Sequence, residues 1–153
     1  MYDAKIDPIT PSHMCCGTHN RGLAISDGKL ILAANDARLI ALDAMTGEYK
    51  WHFQQVHHDI WDYDAASPVT LFDITIDGVP RKGIAEASKT GWVYILDRTN
   101  GKAIVSSEFV KTNWSLGYDA QGQPIPDPAK MPQIDGTLVS PDQSGAANWQ
   151  SPS

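Results

Sequence analysis

The chain has 153 residues, a formal charge of −6 and no basic run, which argues against nucleic acid and against an anionic membrane surface as partners. Its 42% hydrophobic and 20% charged residues fit a globular chain rather than a disordered one. No apolar run approaches the roughly 18 residues of a membrane span, and Met1-Tyr2-Asp3-Ala4 offers neither a basic n-region nor an apolar h-region, so no signal peptide is expected. Twelve glycines and ten prolines are many for a helical protein.

In chain order, residues 1–14 are polar, contain Pro8 and Pro11, and read as an irregular arm. Short apolar runs then alternate with turn signals. Leu23 to Ser26 precedes Asp27-Gly28, Lys29 to Ala34 precedes Asn35-Asp36, Arg38 to Asp43 precedes Met45-Thr46-Gly47, and Tyr49 to Phe53 closes the group. Asp-Gly tolerates the positive φ of a tight hairpin, so residues 23–53 are expected to form a four-stranded antiparallel meander. The pattern recurs over residues 68–107: Val69 to Ile76, Arg81 to Ala87, Trp92 to Asp97 and Lys102 to Ser107, again punctuated by glycine turns. The two units share a register. Leu39-Ile40-Ala41-Leu42-Asp43 aligns with Val93-Tyr94-Ile95-Leu96-Asp97, 54 residues later. A four-stranded repeat of about this period is the mark of a β-propeller blade. Two unrelated meanders in a β-sandwich are the alternative. Residues 108–153 hold six of the ten prolines and read as a Pro-rich loop region. The expected fold is therefore all-β, a single partial-propeller domain of about two to three four-stranded antiparallel blades.

Several segments have residues suited to chemistry. Cys15-Cys16 are adjacent, so a bridge between them would be strained; two reduced thiols are the plain alternative. In His57-His58-Asp59-Ile60-Trp61-Asp62-Tyr63-Asp64, the carboxylates of Asp62 and Asp64 would share a face on a strand. Two converging carboxylates suit a hard cation, or one holds the metal while the other acts as a base; His57 and His58 could add imidazoles. A solvated acidic turn between blades explains the same residues. Lys89 lies in a turn, where lysines are usually solvated. Arg21, Asn148, Trp149 and Trp51 each have an ordinary role as turn or packing residues.

Taken together, these segments resemble the quinoprotein alcohol dehydrogenases, eight-bladed propellers that carry pyrroloquinoline quinone (PQQ). Cys15-Cys16-Gly17-Thr18-His19-Asn20-Arg21-Gly22 looks like their vicinal-cysteine motif. Ala41 to Trp51 looks like their tryptophan docking motif, and His58 to Asp64 resembles the catalytic-aspartate segment. Lys89-Thr90-Gly91 and Asn148-Trp149-Gln150 follow in the family order. The resemblance implies that Cys15 and Cys16 form a disulfide ring over the quinone and that Arg21 hydrogen-bonds a cofactor carboxylate or supports that loop. Asp62 would be the base and a metal ligand. Lys89 would polarise the quinone oxygens, and Asn148 with Trp149 would lie at the cofactor rim. Asp64 matches the extra carboxylate of lanthanide-dependent members, whereas calcium-dependent members have a neutral residue there. The implied cofactors are PQQ and Ca²⁺ or a lanthanide, the implied substrate is a small alcohol, and the family compartment is the periplasm.

Departures from the family pattern are as informative. Only 46 residues separate Cys16 from Asp62, where the family has further blades with a metal-binding glutamate, an asparagine and a tryptophan under the quinone. Glu48, Glu86 and Glu108 fall in blade strands and do not match that ligand. The chain thus reads as an internally deleted and C-terminally truncated member, incomplete as a catalyst alone. Two other functions are compatible with it: a non-catalytic propeller module that covers its open sheet edges by homo-oligomerisation, and a metal-dependent ester or lactone hydrolase using His57, His58, Asp62 or Asp64 on the same scaffold.

Overall fold

The two Asp-Gly pairs fold as their chemistry demands. Asp27 and Gly28 have φ of 49° and 71°, and Asp77 and Gly78 have φ of 51° and 75°, the left-handed pair that matches a two-residue turn to the twist of its strands. A computed structural model describes residues 2–13 and 22–151; Cys15, Cys16 and Arg21 lie outside them. Around the first turn run β1 (Leu23–Ser26) and β2 (Lys29–Ala33), followed by β3 (Arg38–Asp43) and β4 (Tyr49–Gln54). Around the second run β5 (Thr70–Ile76) and β6 (Val79–Ala87), followed by β7 (Trp92–Asp97) and β8 (Ala103–Glu108). Each group is an antiparallel sheet in sequence order, β1-β2-β3-β4 and β5-β6-β7-β8.

Strand β6 begins two residues before the expected Arg81 and includes Pro80. Pro80 pairs with Thr75 of β5, while β7 reaches only as far as Gly83, so no second neighbour needs the missing N–H. Glu48 precedes β4 rather than lying within it, whereas Glu86 and Glu108 are in strands as expected.

Register explains the core. Ile31, Ala41 and Trp51 lie opposite one another, as do Leu39 and Phe53, so all five share one face of the first sheet. That face packs on Ile84, Trp92, Tyr94 and Leu96 of the second sheet, with the Phe53 and Tyr94 rings 5.4 Å apart. The opposite face of the first sheet carries Leu30, Leu32, Ile40 and Leu42, covered by Tyr2, Ala4 and Ile6 of the N-terminal arm. Strand β3 is buried on both sides for this reason, which accounts for its unbroken apolar run. The Trp51 ring lies on Gly101 so closely that a Cβ there would sit 2.5 Å from it. Beside it, Arg98 ties the sheets together: Nη1 donates to Phe72 O (2.6 Å) and Gly83 O (3.2 Å), and Nε reaches Asp27 (3.2 Å) in the first sheet's Asp-Gly turn.

Residues 108–153 are not loop throughout. They contain a hairpin, β9 (Ser115–Tyr118) with β10 (Pro124–Pro126), and a 3₁₀ turn at Pro128–Lys130. Asp119 caps the hairpin turn by accepting from the amides of Gln121 and Gln123, both at 2.9 Å. The architecture is a partial β-propeller: two four-stranded antiparallel sheets face to face, with an added hairpin and, among the described residues, no closed ring.

Candidate functional site

Between β4 and β5 the chain runs through an irregular segment that places its carboxylates individually. Asp62 and Asp64 are not on a strand, so the shared strand face expected for them does not exist. Asp62 instead takes a left-handed φ of 65°, a conformation aspartate tolerates better than most residues. The two side chains meet at Lys89. Its Nζ donates to Asp64 Oδ1 at 2.8 Å and lies 3.3 Å from Asp62 Oδ2. Lys89 is only 4% exposed, so this turn lysine is buried rather than solvated. A buried ammonium needs paired anions to offset its lost hydration, and the two carboxylates supply them.

Aromatic rings fix the segment from below. Trp61 lies 5.9 Å from Tyr63 and 5.6 Å from Trp114, and Tyr63 lies 5.5 Å from Trp114. Each polar tip has a backbone partner: Trp61 Nε1 donates to Lys130 O (3.1 Å), the Tyr63 hydroxyl to Pro141 O (2.5 Å), and Trp114 Nε1 to Thr90 O (2.7 Å). Asp59 accepts from the Trp61 amide at 3.0 Å. Burial pushes its carboxyl up to about 6, opposed by the Trp61 and Tyr63 amides and reinforced by the charges of Asp62 and Asp64.

Beside Asp62 opens a cavity of about 610 Å³, within the range of small-molecule sites. Trp61, Lys130, Thr137, Pro141 and Ser144 form much of its wall. Asp142 and Gln143 also line it, beside Ser144 at the start of the loop that carries Asn148. This loop presses on the lysine: Ala146 N donates to Lys89 O at 3.1 Å, and a Cβ on Gly145 would meet Lys89 Cα at 2.6 Å. Only glycine, at its φ of 76°, permits that approach.

The structure therefore brings together Asp62, Asp64 and Lys89. Asn148 is in the adjoining loop, where its Nδ2 donates to Ser144 O and its Oδ1 accepts from Trp149 N, both at 2.8 Å. Trp149 is 53% exposed. His57 is turned away and shares a 2.5 Å hydrogen bond with Gln123 of the hairpin, while His58 is exposed. Among the described residues no three His, Cys, Asp or Glu side chains gather to hold an ion. Asp62 and Asp64 alone offer fewer oxygens than the six to eight that Ca²⁺ takes, so the pair does not by itself fit the ion. Sequence reasoning missed Gln55, Glu86, Ser88 and Trp114, which surround the Lys89 turn. No periodicity marks them, because they meet only when the sheets pack.

The model of the glucose/ethanol/alcohol dehydrogenase β-propeller domain matches residues 35–135. The chain is 46% identical over 113 residues to the quinohemoprotein alcohol dehydrogenase of Comamonas testosteroni, covering 74% of this chain and 16% of that protein. It is 42% identical over 115 residues to the 1-butanol dehydrogenase (cytochrome c) of Thauera butanivorans, covering 75% and 17%. The chain thus spans about a sixth of the length of these relatives. Among solved structures, the quinohemoprotein alcohol dehydrogenase ADHIIG of Pseudomonas putida superposes with a TM-score of 0.78 at 30% identity, over 88% of this chain and 24% of that one. A europium-containing methanol dehydrogenase shares the fold, with a TM-score of 0.77 at 21% identity over 85% and 26%.

Proposed function

Because the chain belongs to the glucose/ethanol/alcohol dehydrogenase β-propeller family, we propose that it carries the aspartate–lysine part of a PQQ-dependent alcohol dehydrogenase site. The observation that supports this most is the buried Lys89 held between Asp62 and Asp64 beside the cavity. Oxidation of a primary alcohol releases a proton from oxygen and a hydride from carbon. The quinone, when bound, is the hydride acceptor. Asp62 lines the cavity and would take the hydroxyl proton. Lys89 would be the cation that polarises the quinone oxygens, and its bond to Asp64 holds it beside Asp62. The ring cluster of Trp61, Tyr63 and Trp114 would hold the segment that carries the pair.

The same reading extends to residues outside the described set. Cys15 and Cys16 would form the ring over the quinone, and Arg21 would support a cofactor carboxylate. Asn148 and Trp149 would border the cofactor from their loop. Asp64 favours a lanthanide over Ca²⁺, since a trivalent ion takes one more anionic oxygen. Other segments would then have to complete the ion's coordination. The compartment would be the periplasm. Association with further copies would cover apolar positions such as Leu23 and Ile25 of β1, which are 58% and 69% exposed. The hydrolase reading has less support, because His57 is engaged with Gln123.

The test is to load the chain with PQQ and La³⁺ or Ca²⁺, desalt it, and measure bound quinone absorbance and dye-linked alcohol oxidation. Retained quinone is expected, with loss of retention in Lys89→Met. Asp62→Asn should keep quinone and lower any oxidation by about 10²- to 10⁴-fold, the usual worth of a general base. A wild-type chain that retains no quinone overturns the proposal and leaves the non-catalytic module, for which oligomers in light scattering are the expected sign.

A further inference from the structure

Four polar side chains among the described residues are at most 1% exposed: Gln55, Glu86, Ser88 and Thr90. Burying polar groups costs about 1–3 kcal/mol each unless they are hydrogen-bonded, so their placement is informative. All four converge on one turn, the turn that carries Lys89.

Gln55, from the end of the first sheet, is the hub. Its amide donates to Ala37 O at 2.8 Å, and its carbonyl accepts from the Tyr94 hydroxyl at 3.4 Å. Its Nε2 donates to Glu86 Oε2 at 2.6 Å, and its Oε1 accepts from Ser88 Oγ at 2.8 Å. On the other side of the lysine, Thr90 Oγ1 lies 3.1 Å from the Tyr94 hydroxyl and accepts from the Trp92 amide at 3.2 Å. The residues before and after Lys89 are thus each bonded to a buried partner. We propose that Gln55 and Glu86 are positioning residues that act through the Ser88–Thr90 turn to set where Lys89 meets Asp62 and Asp64. The inference deepens the dehydrogenase reading and rests on it for its bearing on alcohol oxidation.

A filling role alone would not require this chemistry. Apolar side chains of similar volume replace a buried polar pair at little cost in stability. What they cannot do is hold Ser88 Oγ. Burial pushes the Glu86 carboxyl up to about 8, so at neutral pH it is mostly a neutral partner of the Gln55 amide. Glutamine is therefore its conservative replacement.

Amide hydrogen exchange on the full chain, without cofactor, tests the proposal. In Gln55→Leu, the amides of Ser88, Gly91 and Ala146, which are bonded to Trp92 O, Ser88 O and Lys89 O, should exchange at least about tenfold faster, as loss of about 1.4 kcal/mol implies. Slow amides of β3 should change less than about twofold, and Glu86→Gln should match the wild type. Unchanged turn amides in a folded Gln55→Leu chain would refute the proposal. So would an equal acceleration of all slow amides, or a Glu86→Gln chain as loose as Gln55→Leu. Where Gln55→Leu fails to fold, Ser88→Ala removes the last bond of the relay together with the 3.4 Å bond from the Thr90 amide, and is judged by the same pattern. Because no quinone is present, a chain that binds none defeats the dehydrogenase reading without touching this result. A chain that does bind quinone should bind it about tenfold more weakly in Gln55→Leu and within about twofold in Glu86→Gln.

Discussion

Glu86 shows how much a single buried carboxyl can impose on the chain. In the unfolded state it releases its proton near 4.5; in the folded state it keeps it to about 8. Between those values the folded form binds more protons than the unfolded one, so stability falls as pH rises through that window. Asp59, raised from 3.8 to about 6, adds a loss at the lower end of the range. Glu86→Gln should remove the Glu86 part, from 4.5 to about 8, and leave the Asp59 part, which ends at about 6. Urea unfolding of both proteins at pH 5, 6.5 and 8 checks this: the wild type should weaken across the whole series, the variant only at its start. At this scale the sequence was partly legible. The Trp61-Asp62-Tyr63-Asp64 run and Lys89 could be picked out by residue type. Their meeting through a left-handed Asp62 could not, because a two-residue spacing suggests a strand face and the segment is not a strand.

At the scale of elements, the turns were the most readable feature and the contacts between sheets the least. The Asp-Gly and glycine signals bracket the eight strands of the two sheets because local backbone preference decides them. The β9–β10 hairpin escaped notice because its strands are short, β10 contains two prolines, and it is held from outside. Ser106 Oγ donates to Gly122 O at 2.5 Å, and Tyr118 stands edge-on to Trp92 at 5.8 Å. Gly47 and Gly101 show what repeat position alone conceals. They are equivalent in the two units and have φ of 72° and 75°, but a Cβ at Gly47 meets nothing within 4 Å, whereas one at Gly101 collides with the Trp51 ring. Gly47→Ala should cost about 1–2 kcal/mol from backbone strain alone. Gly101→Ala adds overpacking and should cost about 2–4 kcal/mol. Chemical denaturation of the two variants side by side measures the difference.

Over the whole molecule, cohesion depends on contacts that no local pattern announces. Arg98 follows a strand-ending aspartate and reads as an ordinary turn residue, but it is buried and joins both sheets. Arg98→Met should lower stability by about 3 kcal/mol, since it leaves Asp27 and two carbonyls without their shared donor. Lys82→Ala, which removes only a half-exposed partner of Asp27, should have a much smaller effect in the same thermal unfolding experiment. The contact of Trp51 with Gly101 has one more implication. The position that repeats Trp51 in the second unit is Val105, so the first sheet presents a ring and the second does not. Gly47, the counterpart of the occupied Gly101, faces open space. The pair of sheets therefore has a polarity. In a tandem of such units, a new sheet that brings a tryptophan finds its seat on the Gly47 side, and assembly through this contact can be extended in one direction only.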